Sequence, residues 1–168
     1  MSQPLFAIMD GDHSPVTTAA WLVSNGDNDA SEFEFCKQAS LRGWKVVHGG
    51  ARESDYDVIV RRPDGPAIFV QVKGALLPMV GSHYQIQCRR NAKGGGKRAY
   101  GPHAFHVLAF HMIDADKWVF YTRPELGNRT LTTYALPEFR KNKVRKSAPD
   151  ARDPDNWELL DEVAQSIK

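Results

Sequence analysis

The spacing of apolar positions divides the chain into an early helix, a run of short strands and a closing helix. Residues 31–42 carry apolar side chains three and four positions apart, which predicts a helix that ends at Gly43. Residues 157–167 carry a second stripe of this kind. Between them, short apolar or alternating runs predict strands at 44–48, 56–60, 67–73, 84–88, 105–111 and 117–121. The pattern predicts an α/β fold in which a mixed β-sheet is flanked by helices.

The length of 168 residues is that of one domain. Residues 1–30 show neither the helical nor the strand spacing of apolar residues, and they contain several turn formers. We therefore predict an amino-terminal arm or cap there. We assign residues 31–125 to the core, and residues 126–168 to a carboxyl-terminal basic segment followed by the closing helix.

The strands at 56–60 and 67–73 form a predicted hairpin that brings three polar side chains together. The turn between them contains Pro63 and Gly65, which suit a tight reversal. Side chains alternate along a strand, so Gln71 and Lys73 point to one face. Antiparallel pairing returns them beside Asp57. The hairpin therefore predicts a polar site on an otherwise apolar strand.

The oxygen atoms of this site suit a hard cation. The Asp57 carboxylate, the Gln71 amide carbonyl and the Val72 backbone carbonyl are the kind of ligand that Mg²⁺ prefers, with Mn²⁺ as a substitute. Lys73 beside the ion would orient or deprotonate a water, or neutralise charge on a phosphorane. Glu32 shares the apolar stripe of the first helix, whereas Glu34 faces solvent, so Glu32 is the candidate further carboxylate. The alternative is an ordinary surface cluster of hydrogen bonds, with a nearby Lys or Arg as the partner of Glu32.

Positive charge is concentrated in two runs, although Lys and Arg number 22 against 20 for Asp and Glu. Residues 89–98 hold five basic residues and no acid, and residues 140–146 hold five more. Such runs can follow a phosphate backbone, or they can be solvated loops. The glycines at 94–96 predict a hinge in the first run. The candidate DNA-contacting residues are Arg89, Arg90, Lys93, Lys97, Arg98, Lys141, Lys143 and Arg145.

Several classes of protein are disfavoured by composition. Two cysteines make neither a disulfide framework nor a four-ligand zinc site by themselves. No apolar run reaches the length of a membrane span. A secretory signal begins with a positively charged region, but no lysine or arginine precedes Lys37. We therefore expect a cytoplasmic protein with reduced thiols and no membrane partner.

Taken together, these residues resemble the PD-(D/E)XK nuclease superfamily. The matching positions are Glu32 on the first helix, Tyr56-Asp57 at the Pro-Asp position and Gln71-Val72-Lys73 at the (D/E)-X-K position. Gln71 stands in place of the acid of this motif, and in this it resembles the group I intron-associated, homing-type endonucleases. The spacing from Glu32 to Gly43 is similar, more distantly, to that of archaeal Holliday junction resolvases. The resemblance covers about residues 31–124.

The resemblance implies a restriction-endonuclease-like core that hydrolyses DNA phosphodiester bonds with Mg²⁺. It implies that Asp57 and Gln71 bind the metal, that Lys73 is catalytic and that Glu32 assists through a metal-bound water. Cleavage of both strands by so small a domain would favour a homo-oligomer, either a dimer or a tetramer.

Two departures leave alternatives open. Tyr56 stands where the family has Pro, and Gln71 replaces an acid, which removes one negative charge from the site. The alternatives are a DNA-binding module that no longer cuts, a structure-specific nuclease that acts on junctions, and an interaction domain unrelated to nucleic acid.

Overall fold

The computed structural model describes residues 15–49, 54–78, 83–91, 95–137 and 152–167. It contains three helices, α1 (Pro15–Leu41), α2 (Arg123–Leu126) and α3 (Glu158–Ser166). The strands are β1 (Lys45–His48), β2 (Val58–Arg61), β3 (Ile68–Ala75), β4 (His83–Gln87), β5 (Arg89–Asn91), β6 (Lys97–Ala99), β7 (Val107–Met112), β8 (Lys117–Thr122) and β9 (Leu131–Ala135).

A five-stranded sheet in the order β1-β2-β3-β7-β8 is the centre of the fold. The β3–β7 pair is parallel and the other pairs are antiparallel, so the sheet is mixed. Two smaller two-stranded sheets, β4–β9 and β5–β6, accompany it. The predicted mixed sheet flanked by helices is confirmed.

The two faces of the central sheet enter two separate apolar cores. On one face, Val70 of β3 packs with Phe35 of α1 and Leu160 of α3. On the other face, Phe110 of β7 packs with residues of β4 and β9, including Tyr134. Strand β3 is therefore covered on both sides, which fixes the direction of each of its side chains.

The first helix ends as the sequence predicts but begins earlier. Gly43 has φ +80°, and the Trp44 amide donates to the Ala39 carbonyl at 3.1 Å, as in a helix ended by a left-handed glycine. The helix begins at Pro15, and Ser31 lies inside it rather than at its start. The buried Ser31 hydroxyl lies 3.2 Å from Nδ1 of His111 on β7, a tertiary contact that local capping patterns do not reveal.

The carboxyl-terminal part contributes to both cores. Helix α3 matches the predicted closing helix, whereas β9 and α2 were not predicted. Strand β9 pairs with β4 across a long sequence separation. The division of the chain at residues 30 and 125 stays a prediction, although α1 runs through the first of these positions. None of the helices in the described ranges is both long enough and apolar enough to cross a membrane.

Phe35 and Phe33 offer a matched test of this packing. Phe35 is fully buried, with its ring centroid 5.4 Å from that of Trp157, whereas Phe33 on the same helix is 65% exposed. We expect Phe35→Ala to lower the free energy of unfolding by about 3–5 kcal/mol, because it leaves a cavity in the core. Phe33→Ala should change it by less than about 1 kcal/mol. Urea denaturation of both variants measures the difference, and equal losses would contradict the assigned helix face.

Candidate active site

The hairpin of β2 and β3 places Asp57, Gln71 and Lys73 together. Val58 pairs with Val70, and the Asp57 amide donates to the Val70 carbonyl at 2.9 Å, so Asp57 lies across from Gln71. Ile68, Val70 and Val72 enter the first core, which leaves Gln71 and Lys73 on the opposite face. Strand β3 runs two residues beyond Lys73, so the site lies within the strand and not at its end.

The Asp57 carboxylate is held at one of its two oxygens. Oδ2 accepts a hydrogen bond from the Val72 amide at 2.8 Å and another from Nε2 of Gln71. Gln71 is only 3% exposed, and its Nε2 also donates to the Val72 carbonyl at 3.3 Å. The three predicted oxygen-bearing groups are thus one hydrogen-bonded unit, and these bonds leave Oδ1 of Asp57 unused.

Burial makes the charge of Asp57 costly. Removal from water raises the pKa of the Asp57 carboxyl above its ordinary value, although the charge of Lys73 and the hydrogen bond from Val72 act in the opposite direction. The net upward shift means that the nearby donors do not fully compensate the carboxylate. A cation at this position would compensate it.

Glu32 reaches the same site from α1. Burial is the main cause that raises the pKa of Glu32, and the negative charge of Asp57 raises it further. The charge of Lys73 lowers it, so all three groups lie within electrostatic reach of one another. Glu34 instead accepts a hydrogen bond from Lys37 at 3.1 Å and from Gln38 at 2.8 Å. The two glutamates therefore have different surroundings, as the helical spacing predicts.

His48 belongs to the site but was missed by sequence reasoning. Its Nε2 lies 3.2 Å from Oε2 of Glu32, and its ring stacks on Phe33 at a centroid distance of 5.2 Å. Strand β1 pairs His48 with Val58, the neighbour of Asp57. The available signal was the predicted strand at 44–48, which would have placed His48 beside Asp57 once it was paired with the hairpin.

The first basic run lies beside the site as a short hairpin of β5 and β6. Arg90 forms an ion pair with Asp55, which lies two residues before Asp57. A cavity of about 270 Å³ opens between Lys73 and this hairpin, and Arg89 and Lys97 line it. Gly95 and Gly96 have positive φ of 95° and 82°, within the stretch predicted as a hinge. Arg89, Arg90 and Lys97 are therefore close to Lys73.

The other candidate DNA-contacting residues are not seen in the wall of this cavity. Arg98 is exposed on β6, opposite Arg90 in the strand register, and is not part of the cavity wall. Lys93, Lys141, Lys143 and Arg145 lie outside the described residues. Their predicted role stays a prediction.

The donor set fits a hard cation better than a soft one. Within the described ranges, no group of three or more His, Cys, Asp and Glu side chains is arranged to hold a metal. The Asp57 unit instead combines one carboxylate with an amide and a backbone carbonyl, with Glu32 close by. Oxygen donors of low charge, together with water, are what Mg²⁺ accepts.

The comparisons with known proteins define a class of fold. No protein-family model matches the chain, and no curated protein matches it. Among solved structures, the fold is similar to that of the bacterial homing endonuclease I-Ssp6803I, with a TM-score of 0.70 and 16% sequence identity, covering 86% of this chain and 97% of that one. A second structure, MepB, reaches a TM-score of only 0.41 at 14% identity, over 69% of this chain and 82% of that one.

Proposed function

We propose that the chain is a divalent-metal-dependent endonuclease that hydrolyses phosphodiester bonds in DNA. The observation that carries this proposal is the hydrogen-bonded unit of Asp57, Gln71 and Val72, with Lys73 on the same strand face. The nuclease-type fold and the basic hairpin beside Lys73 support it. Asp57, Gln71, Lys73 and Glu32 are the proposed catalytic residues.

The Asp57 carboxylate, the Val72 carbonyl and the Gln71 amide oxygen would hold Mg²⁺, with Mn²⁺ as a substitute. The Gln71 amide would first turn over, so that its oxygen takes the place of the Nε2 that donates to Asp57 and Val72. Oδ1 of Asp57 is not used by the two internal hydrogen bonds, and an upward pKa shift marks an incompletely compensated carboxylate. We assign Glu32 a contact through a water molecule. When bound, the ion would stabilise negative charge on the phosphoryl oxygens and make water more acidic.

The protein groups around this position orient the reactants. Lys73 would donate hydrogen bonds to the phosphoryl oxygens and stabilise the charge that grows on them in the transition state. Glu32, next to His48, would position the attacking water and accept a proton from it. Water attacks phosphorus in line, the bond from phosphorus to the leaving sugar oxygen breaks, and that oxygen takes a proton from solvent water.

A DNA-binding module that does not cut is the second candidate. The identity of residue 71 favours it, because glutamine contributes no charge and its amide already donates to Asp57. A site with one fewer carboxylate binds a divalent ion more weakly. A junction-specific nuclease is a narrower form of the first proposal, and in either form we expect a dimer or a tetramer.

Incubation with supercoiled plasmid separates the candidates. We expect nicked and then linear plasmid in Mg²⁺ or Mn²⁺, and unchanged plasmid in EDTA. Retention of the plasmid in EDTA without cutting in any divalent ion would support the binding module. If the plasmid is neither retained nor cut at low salt, both candidates are excluded, because phosphate contacts are strongest at low salt.

Glu32 and Glu34 form a matched pair for testing the helix face. We expect Glu32→Gln to lower the cleavage rate about 10- to 100-fold, the range typical of groups that orient a metal's ligands. Glu34→Gln should leave the rate within about twofold, because Glu34 pairs with Lys37 at the surface. Initial nicking rates at saturating Mg²⁺ measure both. The reverse order would show that the other helix face serves the site.

A further inference from the structure

Of the six described residues that line the cavity beside Lys73, four are cationic and two are neutral. The cavity measures about 270 Å³, and none of the described residues that line it carries a carboxylate. Besides Lys73, its lining comes from β4, from the β5–β6 hairpin and from the residue after that hairpin: Gln87, Arg89, Arg90, Lys97 and Tyr100. A concave surface with this charge attracts an anion.

Two polar atoms in these lining residues are buried without a partner. Nε of Arg89 and Oε1 of Gln87 have no hydrogen bond within the part of the chain that the structure describes. Buried polar groups left unpaired are costly and rare in native proteins. A small turn of the Arg89 side chain toward the cavity would let a bound group with several oxygen atoms satisfy the arginine. The glutamine amide, turned in the same way, can present either its oxygen or its nitrogen to such a ligand.

Tyr100 adds a neutral donor to this wall. Burial, together with the charges of Asp57 and Asp55, raises the pKa of its phenol, so the hydroxyl keeps its proton at any physiological pH. The backbone is fixed, because buried Arg123 donates to the Tyr100 carbonyl and, at 2.8 Å, to the Gly101 carbonyl.

The hairpin cannot drift far from the reaction site. The ion pair of Arg90 with Asp55 ties β5 to the segment that carries Asp57. Lys73 belongs both to the cavity wall and to the electrostatic surroundings of Asp57. An anion in the cavity would therefore lie next to a phosphate that reacts at Asp57.

We propose that this cavity binds a DNA backbone phosphate adjacent to the phosphate that is cut. Arg89 and Lys97 supply positive charge, and Tyr100 supplies an uncharged hydrogen bond. Successive phosphates of one strand are only about 3.4 Å apart along the duplex axis, so neighbouring phosphates can occupy neighbouring sites. Contacts of this kind set the position of a strand without reading its sequence. This inference rests on the proposed nuclease function for the identity of the strand.

Binding in EDTA tests the cavity separately from cleavage. Fluorescence anisotropy of a labelled 20-base-pair duplex, measured over a range of KCl concentrations, gives the slope of log K against log salt. We expect Arg89→Gln to reduce the magnitude of this slope by about 0.9, the value of one lost phosphate contact. Arg89→Lys should keep the slope, because it keeps the charge.

Tyr100→Phe separates the hydrogen bond from the charge. We expect about a tenfold weaker affinity at every salt concentration with an unchanged slope, because the lost hydrogen bond to a charged group carries no counterion. Circular dichroism of each variant checks that the chain is folded. The control is Arg61→Gln, an exposed arginine at the other end of β2 from Asp57, which should change neither affinity nor slope.

Each other outcome is decisive. The phosphate site would be overturned if Arg89→Gln kept the slope of the unsubstituted chain. It would also be overturned if Arg61→Gln reduced the slope as much as Arg89→Gln does. The expected slopes without cleavage in Mg²⁺ would uphold the site and reject the nuclease proposal. A duplex that does not bind even at low salt would reject both.

Discussion

Asp57→Asn should reduce plasmid cleavage roughly a thousandfold. The substitution keeps the size of the side chain and its acceptor for the Val72 amide, but it removes the negative charge that would hold a divalent ion. Loss of an electrostatic element aimed at the reacting centre has effects of about this magnitude. Nicking rates in Mg²⁺, compared with the unsubstituted chain at equal concentration, measure the loss.

The same substitution should not destabilise the fold. Because the pKa of Asp57 is raised, the folded chain binds the proton more tightly than the unfolded chain, whose carboxyl titrates near 3.8. Stability therefore falls as pH rises from about 3.8 through the raised pKa, and the charged form costs stability at neutral pH. We expect Asp57→Asn to melt at the same or a higher temperature than the unsubstituted chain at pH 7 in EDTA.

Mg²⁺ should reverse this order of stability. An ion that binds only the folded chain stabilises it by about 2.7 kcal/mol when its concentration is 100 times Kd. We expect Mg²⁺ to raise the melting temperature of the unsubstituted chain and not that of Asp57→Asn. Equal shifts in both would place the ion elsewhere, and undiminished cleavage by Asp57→Asn would remove Asp57 from the mechanism.

Lys73→Met should lower cleavage about 10²- to 10³-fold, the range associated with the loss of a donor that stabilises negative charge in the transition state. Lys73 is half-buried on β3, and its charge acts on both Asp57 and Glu32. Methionine keeps much of the side-chain volume and removes the ammonium group, so the fold should persist. Single-turnover cleavage at saturating Mg²⁺ measures the chemical step.

The Mg²⁺-induced rise in melting temperature distinguishes the role of Lys73 from that of the metal-binding groups. Because Lys73 is not a proposed ligand, Lys73→Met should keep the Mg²⁺-induced rise in melting temperature that Asp57→Asn loses. Lys45→Met, at an exposed position on β1, is the matched control and should cut normally. Cleavage by Lys73→Met at the control rate would contradict a catalytic role for the lysine.

The centre of the candidate site was predictable because local rules determine it. Pro63 and Gly65 indicated the reversal, and the two-residue period of a strand placed Gln71 and Lys73 on one face. The helical spacing likewise distinguished Glu32 from Glu34. These inferences need only short-range geometry, and the hairpin register agrees with them.

The rest of the site depends on contacts between distant segments. The ion pair of Arg90 with Asp55, and the electrostatic effect of Asp57 on Tyr100, arise only when the β5–β6 hairpin lies near the segment that carries Asp57. Strands β5 and β6, on either side of the glycine-rich run, were not predicted because isolated short strands carry little signal. For the same reason β9 was missed, since its pattern becomes clear only beside β4.

A crystal soaked in Mn²⁺ tests the central claim most directly, because the anomalous signal of manganese locates the ion without any assumption about activity. We predict a peak about 2–2.5 Å from an Asp57 carboxylate oxygen, with the Gln71 amide oxygen and the Val72 carbonyl as further ligands. A chain that cuts DNA in Mn²⁺ while its crystals show the ion bound only away from Asp57 would contradict the account.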